Sequence, residues 1–209
     1  MLQFHRYQKS YGDKLIIAAD ELALDAPFYW LKGGNGSGKT TLLQSIAGIV
    51  PFRGDILVND KTTRRNQITY RLAVNHAAAE PLYPDFLTGH DLITFYTQAK
   101  RGSAAQAGDL IDRIGIADFV NYKTGTYSSG MKKKLSLVLA FIGHPELILL
   151  DEPLITLDVA AVALLLQLME EKVAAGIQLL ITSHQDMQET FTLAPQPLII
   201  AGRQLKVAL

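Results

Sequence analysis

The 209-residue sequence contains no cysteine, which excludes disulfide bonds and thiolate metal sites and is compatible with a reducing compartment. It also lacks a net charge, because 20 basic residues balance 20 acidic ones. No long-range field therefore favours nucleic acid or an anionic membrane. No basic head followed by a long apolar segment is visible at the start, so no signal peptide is predicted. We expect a cytoplasmic protein that binds no nucleic acid.

Long hydrophobic runs are missing as well. The longest, residues 159–166, extends to Met169 only by including Gln167, and two glutamates follow. A bilayer span needs roughly 20 apolar residues, so this run predicts a buried helix instead. If the protein works at a membrane, another chain must cross it. The basic run 132–134 is too short to indicate polyanion binding, and we expect it to be a solvated helix face.

What is present is a glycine-rich segment after a short apolar strand, residues 28–31. Residues 33–41 fit the pattern G-x-x-x-x-G-K-[ST], in which backbone N–H groups and a helix N-terminus cradle phosphates. We expect Lys39 to reach the β- and γ-phosphates and the Thr40 hydroxyl to ligate Mg²⁺. A chance match is the alternative, and Thr41 also suits an ordinary helix. The candidate nucleotide-binding residues are Gly33, Asn35, Gly36, Ser37, Gly38, Lys39, Thr40 and Thr41.

A second motif is the apolar strand 147–150, which ends in Asp151, Glu152 and Pro153. Ligands gather at the carboxyl ends of parallel strands, so both acids are expected beside the phosphate loop. Asp151 would hold Mg²⁺, and Glu152 would orient or deprotonate the water that attacks the γ-phosphorus. An Asp-Glu-Pro sequence is also a common helix-start turn.

The remaining pattern predicts an α/β protein of the P-loop NTPase class with a mostly parallel core sheet, an antiparallel β-subdomain and a helical insert. We expect a single domain over residues 1–209, with the core and β-subdomain at about 1–88 and 145–209 and the insert at about 89–144. Further predicted strands are residues 54–60, 68–74 and 179–182, and further predicted helices are residues 40–47 and 159–175.

Together these motifs resemble the nucleotide-binding subunit of an ATP-binding cassette (ABC) transporter. Residues 127–131, Tyr-Ser-Ser-Gly-Met, are similar to the family signature Leu-Ser-Gly-Gly-Gln. Leu-Asp at 157–158 and Ser-His at 183–184 follow in the family's order. The resemblance spans nearly the whole chain and implies that ATP is bound between two cassettes.

The resemblance also implies roles for single residues. Ser128 and Gly130 would contact the γ-phosphate bound by the opposite protomer, and Asp158 would communicate between the two sites. His184 would hydrogen-bond the γ-phosphate and complete a catalytic set with Lys39 and Glu152. Tyr11 would stack on adenine. From the residues alone, Ser128 and Asp158 could be helix caps, His184 a structural histidine and Tyr11 a half-buried strand aromatic.

The sequence departs from the family pattern in two places. A glutamine that touches Mg²⁺ is usual between the phosphate loop and the helical insert, but residues 75–84 contain none. The position falls on Ala79 or Glu80, and we predict that Glu80, or a water beside Ala79, takes the glutamine's place. The signature differs at Tyr127, Ser129 and Met131.

We therefore expect the ATP-hydrolysing subunit of an ABC transporter, an exporter in particular. It would use ATP and Mg²⁺, pair with a second cassette as a homodimer or heterodimer, and lie at the inner face of the membrane through separate transmembrane subunits. The alternatives are a soluble ABC ATPase of translation or DNA repair and a degenerate cassette that binds nucleotide as a regulatory partner.

Overall fold

A computed structural model describes residues 1–65, 67–183, 191 and 194–208 of the chain. Within these residues ten β-strands form one sheet, accompanied by six α-helices. The strands are β1 (Leu2–Tyr11), β2 (Lys14–Leu24), β3 (Phe28–Lys32), β4 (Arg53–Val58), β5 (Lys61–Thr62), β6 (Val74–Ala77), β7 (Leu147–Leu150), β8 (Gln178–Thr182), β9 (Gln196–Ala201) and β10 (Gln204–Val207). The helices are α1 (Lys39–Ile46), α2 (Gln67–Ala73), α3 (Gly89–Ala99), α4 (Ala104–Ile114), α5 (Ser129–Phe141) and α6 (Val159–Ala174).

The sheet has a parallel part and an antiparallel part, in the order β5-β4-β1-β2-β10-β9-β3-β8-β7-β6. Strands β9, β3, β8, β7 and β6 pair in parallel, whereas β5, β4, β1 and β2 pair antiparallel. Every residue of β7 and β8 is buried, as a parallel strand covered on both faces requires. The predicted fold class is confirmed.

Two hydrophobic clusters lie on opposite faces of the sheet. Along β7, Leu147 and Leu149 belong to one cluster, and Ile148 and Leu150 belong to the other, because successive side chains of a strand point to opposite faces. Helices α1 and α2 pack into the first cluster, and α3 to α6 pack into the second. The carboxyl end of β7 therefore emerges between two packed layers.

Helix α2 corrects the predicted strand at 68–74. The β-branched residues Ile68 and Thr69 favoured a strand, but the buried side chains are Tyr70 and Ala73, which are three residues apart. Tyr70 is fully buried and donates a hydrogen bond to the carbonyl of Ile46 at 2.6 Å. This contact anchors the helix on α1, and the strand β6 begins only at Val74.

Helix α6 also differs from the expected buried helix. It buries one side, through Ala161, Leu165, Leu168 and Met169, while the side chain of Val159 is 88% exposed. Among the described residues, none of the helices has the length and apolar character that crossing a bilayer requires.

Helices α3, α4 and α5 lie between β6 and β7 along the chain. A capping box fixes the start of α3, in which Thr88 and Asp91 exchange side-chain and backbone hydrogen bonds. The buried Asn75 amide on β6 donates to the carbonyls of Ala140 and Ile142 at 2.8 Å each. These bonds hold the C-terminal end of α5 against the core sheet.

Candidate active site

The phosphate loop connects β3 to α1, as predicted. Gly38 is the residue before α1 and has φ 104°, a left-handed backbone that favours glycine. A Cβ atom added there would lie 2.9 Å from Cγ2 of Ile16. The backbone conformation therefore favours glycine at this position, and the close approach of Ile16 on β2 leaves little room for a side chain.

Lys39 and Ser37 are the loop residues whose side chains most directly suit an anion. The Lys39 ammonium donates to the carbonyl of Gly33 at 2.8 Å and to that of Gly34 at 3.3 Å, which keeps it above the loop. The Ser37 hydroxyl oxygen is buried and has no hydrogen-bond partner among the described residues. A buried polar atom without a partner is costly, so this hydroxyl fits a ligand that supplies phosphate oxygens.

One cavity brings most of the predicted residues together. It has a volume of about 310 Å³ and is lined by the loop residues 35–41 together with Tyr11, Ile16, Asp151 and Glu152. The loop, the two acids and the aromatic residue are far apart in the chain, yet they meet here because β7 ends beside the loop. Gly33 is not among the lining residues, although its carbonyl holds Lys39.

The two acids at the end of β7 are both buried, with Asp151 only 1% exposed. One carboxylate oxygen of Asp151, Oδ1, accepts a hydrogen bond from the Thr182 hydroxyl at 2.7 Å. The other, Oδ2, is buried and has no hydrogen-bond partner in the described part of the chain. A hard cation such as Mg²⁺ prefers carboxylate oxygen, so Asp151 fits the metal role predicted for it.

Glu152 follows with φ 46°, in the left-handed region that non-glycine residues seldom occupy. Its N–H donates to the Thr182 hydroxyl oxygen at 2.8 Å. Backbone strain of this kind is of order 1–3 kcal/mol and persists only where surrounding contacts hold it. The strand therefore ends in a strained turn at Glu152, which is one of the residues that line the cavity.

Tyr11 lines the same cavity at the end of β1, and its side chain is 52% exposed. The Lys9 ammonium lies 4.3 Å from the centroid of its ring and is held by a 2.8 Å hydrogen bond to the carbonyl of Pro51. Lys9 is 4% exposed. An exposed ring with a cation over its face is suited to stacking on a planar group.

The signature residues 127–131 are not among those that line this cavity. Ser128 caps helix α5, and its hydroxyl oxygen accepts from the Met131 N–H at 3.2 Å. Tyr127 is buried and donates to the carbonyl of Phe119 at 2.8 Å. A Cβ atom added to Gly130 would lie 3.0 Å from the carbonyl oxygen of Thr156. The signature is thus attached closely to the loop that follows the two acids.

Asp158 caps helix α6 and joins it to the signature helix. Its carboxylate accepts from the Ala161 N–H at 2.8 Å and from the Lys134 ammonium at 3.0 Å. These two donors lower the pKa of Asp158. The residue does not line the cavity, and His184 lies outside the described residues.

The structure does not bring Glu80 to the cavity. Its side chain is exposed, and neither Glu80 nor Ala79 is among the residues that line the pocket with Asp151. The segment contacts Asp151 through its backbone, because the Asp151 N–H donates to the carbonyl of Ala77 at 2.9 Å. The carbonyls of Ala78 and Ala79 accept from the Lys133 ammonium at 3.0 and 3.4 Å.

Lys9, Ile16, Thr182 and Lys133 are residues at or near the site that were not predicted from the sequence. The basic run 132–134 is not a solvated face, because Lys133 is 1% exposed and Lys134 pairs with Asp158. The helical spacing of the run gave a usable signal: Lys133 lies four residues before the buried Leu137, and hence on the same face of α5.

Comparison with known proteins agrees with this geometry. A family model described as ABC transporter matches residues 26–155, which include the phosphate loop, the signature and the two acids. The chain belongs to the ABC transporter family. It is an ABC-type ATPase that binds ATP.

Two relatives illustrate the range of similarity within the ABC transporters. The chain is 32% identical over 158 residues to the cytochrome c biogenesis ATP-binding export protein CcmA of Legionella pneumophila, covering 75% of this chain and 78% of that protein. It is 30% identical over 215 residues to the glucosylceramide transporter ABCA12 of Mus musculus, covering 97% of this chain. The chain spans only 8% of the length of ABCA12.

The fold is also that of a solved cassette. The dimeric, post-hydrolysis structure of the ATP-binding cassette MJ0796, bound to ADP and Pi, superposes with a TM-score of 0.84. The match covers 99% of this chain and 98% of that one at 17% identity.

Proposed function

We propose that this ABC ATPase powers an exporter: two cassettes close around ATP and Mg²⁺, and separate membrane subunits carry the cargo. The observation that carries the proposal is the single cavity shared by the phosphate loop, Tyr11, Asp151 and Glu152. The direction of transport rests on the similarity to a protein named as an export subunit. The cassette would lie at the cytoplasmic face of the membrane, with residues 89–144 as a helical insert that carries the signature.

Each residue has a role that its position supports. Lys39 neutralises the β- and γ-phosphates, while Ser37 and the loop N–H groups donate to their oxygens. Glu152 orients or deprotonates the attacking water, and Tyr11 stacks on adenine. Asp151 and the Thr40 hydroxyl would hold Mg²⁺, which would supply positive charge beside the reacting phosphate. Phosphoryl transfer needs little more than such positioning and charge.

The partner cassette would complete the site through Ser128 and Gly130. Both lie at the N-terminus of α5, where N–H groups and the helix dipole favour an anion. Asp158, which holds α6 to the signature helix through Lys134, would report the state of one site to the other. His184 is proposed as the γ-phosphate contact on the resemblance alone.

A groove on the surface of the chain is the proposed docking site for a membrane subunit. It has a volume of about 570 Å³ and lies among the end of α1, α2 and α3. Its walls carry Ile49, Ile68 and Phe95, whose side chains are 60%, 74% and 64% exposed. Arg71 and Lys100 also line it. Its occupant is proposed to be a cytoplasmic segment of the membrane subunit with apolar residues and at least one acid, because exposed apolar patches rimmed by charge mark interaction sites.

The proposed role of Glu152 and the closed pair of cassettes are tested by Glu152→Gln in the purified chain with ATP and Mg²⁺. The amide preserves the shape of the side chain but cannot act as a base, so ATP binding should persist while turnover falls by about a hundred-fold or more. Light scattering should then show an ATP-bound dimer. Wild-type turnover together with a monomer under these conditions would exclude both the role of Glu152 and the closed pair.

The docking proposal is tested by Ile68→Glu with co-expressed membrane subunit. The charge would be buried in the interface, so co-purification should be lost. Tyr122→Glu is the matched control, since Tyr122 is 60% exposed and does not line the groove. Equal recovery of the membrane subunit with both variants would rule out the groove as its docking surface.

A further inference from the structure

Lys133 on helix α5 is a buried lysine whose ammonium contacts the backbone of the segment that carries the two acids. It is 1% exposed, and its ammonium donates to the carbonyl oxygens of Asp151 at 2.8 Å, Ala78 at 3.0 Å and Ala79 at 3.4 Å. Burial lowers its pKa to about 8, although attraction to Asp151 and Glu152 opposes that shift. A cation so enclosed is costly to bury, and its three hydrogen bonds offset that cost.

The contact with Asp151 matters because of which peptide it holds. The carbonyl of Asp151 and the N–H of Glu152 belong to one peptide group, which is planar. Lys133 binds the carbonyl at 2.8 Å, and the Thr182 hydroxyl binds the N–H at 2.8 Å. The peptide plane is therefore held from both ends by side chains of two different elements, α5 and β8.

This plane decides where the Glu152 side chain points. Glu152 has φ 46°, and such a conformation at a non-glycine residue lasts only where its surroundings hold it. Among the described hydrogen bonds, those of Lys133 and Thr182 hold the peptide that precedes it. Without the ammonium, the carbonyl of Asp151 would lose its described donor, and the peptide could rotate away from the strained turn.

We propose that Lys133 is a positioning residue for Glu152: its ammonium holds the Asp151–Glu152 peptide so that the Glu152 carboxylate faces the water that attacks the γ-phosphorus. This rests on the proposed role of Glu152 as the catalytic carboxylate. Lys133 acts on kcat through Glu152, and its described hydrogen bonds go to Ala78, Ala79 and Asp151 and not to the phosphate loop. Binding and turnover should therefore separate when it is changed.

The first test compares Lys133→Met with Lys132→Met, its neighbour on the same helix and outside the described hydrogen bonds to the acids. Methionine keeps the length of lysine and removes the ammonium. Loss of a supporting hydrogen bond of this kind lowers activity by about ten- to a hundred-fold. We expect that loss in kcat for Lys133→Met, with the Kd for ATP within about two-fold of the wild type. Equal kcat for the two variants would overturn the proposal.

A second test remains decisive if Lys133→Met does not fold. Because the chain has no cysteine, Lys133→Cys introduces a unique thiol. The denatured chain is alkylated with 2-bromoethylamine, which restores the ammonium, or with 1-iodopropane, which gives a neutral side chain of the same length, and is then refolded. Turnover restored only by the charged adduct supports the proposal. Equal turnover of the two adducts, or a fold that forms only with the charged adduct, overturns it.

A double-mutant cycle of Lys133→Met with Thr182→Val measures the coupling between their effects on kcat. General destabilisation of the fold does not produce such coupling. Both side chains hold one peptide, so their effects on kcat should be less than multiplicative. Multiplicative effects would contradict a shared target. Glu152→Gln distinguishes a failure of the proposed function from a failure of the role of Lys133. Wild-type turnover of Glu152→Gln refutes the proposed function. An inactive Glu152→Gln beside a fully active Lys133→Met refutes only the role of Lys133.

Discussion

The phosphate loop and the signature segment are two parts of this chain whose residues are suited to binding a phosphate. They differ in their position relative to the cavity that contains the two acids. The loop residues 35–41 share a cavity with Tyr11 and the two acids of β7. The signature residues 127–131 do not line that cavity, and the exposed Ser128 uses its hydroxyl to cap α5. The phosphate loop thus shares a site assembled within the chain, whereas the signature does not line that site.

This difference indicates a chain that carries complementary halves of a site. A surface that one copy cannot use itself can serve a second copy, as in a symmetric pair. The signature is also tied to the acids' side of the cavity, through Gly130 beside Thr156 and Lys134 paired with Asp158. We therefore expect changes in the loop to affect binding by the single chain and changes in the signature to affect only turnover by the pair.

The largest effect should come from Lys39→Ala. Removing a charged donor from the phosphates costs about 1.5–3 kcal/mol per hydrogen bond, so the Kd for ATP should rise by roughly ten- to a hundred-fold while the fold stays intact. Isothermal titration calorimetry measures the affinity, and circular dichroism checks the fold. Lys14→Ala, a change of an exposed lysine on β2, is the control. Unchanged affinity of Lys39→Ala would remove the phosphate-loop assignment.

Gly130→Ala tests the other half of the comparison. The new methyl group would lie 3.0 Å from the Thr156 carbonyl oxygen, so the Thr156 backbone or the start of α5 must move by a few tenths of an ångström. We expect ATP binding by the single chain within about two-fold of the wild type and a fall in turnover of about ten-fold or more, since small displacements of positioning groups are costly. Gly108→Ala is the matched control, because a Cβ there meets nothing within 4 Å. If both variants turn over ATP equally, the signature takes no part in the site.

A smaller effect is expected from Lys9→Met, which removes the cation behind Tyr11. Such a contact contributes about 0.5–1 kcal/mol, so the KM for ATP should rise about two- to five-fold with kcat unchanged. The effect should disappear in a Tyr11→Ala background, because Lys9 acts through the ring. A rise of the same size in both backgrounds would show that Lys9 acts elsewhere.

The smallest effect concerns Glu80. Its exposed side chain does not line the cavity, so titrations of turnover with Mg²⁺ should superimpose for the wild type, Glu80→Gln and Glu80→Ala. Curves that separate would restore the prediction that this carboxylate replaces the missing glutamine and would require the segment to move toward the metal when nucleotide binds.

Local patterns in the sequence determined the fold class, the phosphate loop, the strand that carries the acids and the position of the signature. Each depends on neighbouring residues: apolar runs define β3 and β7, and glycine and lysine at fixed spacing define the loop. The same reasoning was wrong for residues 68–74, where β-branched residues suggested a strand. Packing of Tyr70 against Ile46 favours a helix there, and that contact spans 24 positions.

Only the tertiary structure decided how the site is supported. Lys133 meets the carbonyls of Ala78 and Asp151 across 55 and 18 positions, and Thr182 meets Glu152 across 30. In the sequence, helical spacing places Lys133 on the same face of α5 as Leu137 but does not identify its hydrogen-bond partners, and Thr182 is the last residue of a strand. Both residues are distinguished by their place in the fold, because one face of α5 and the end of β8 lie next to the two acids. Local spacing in the sequence does not specify these distant partners.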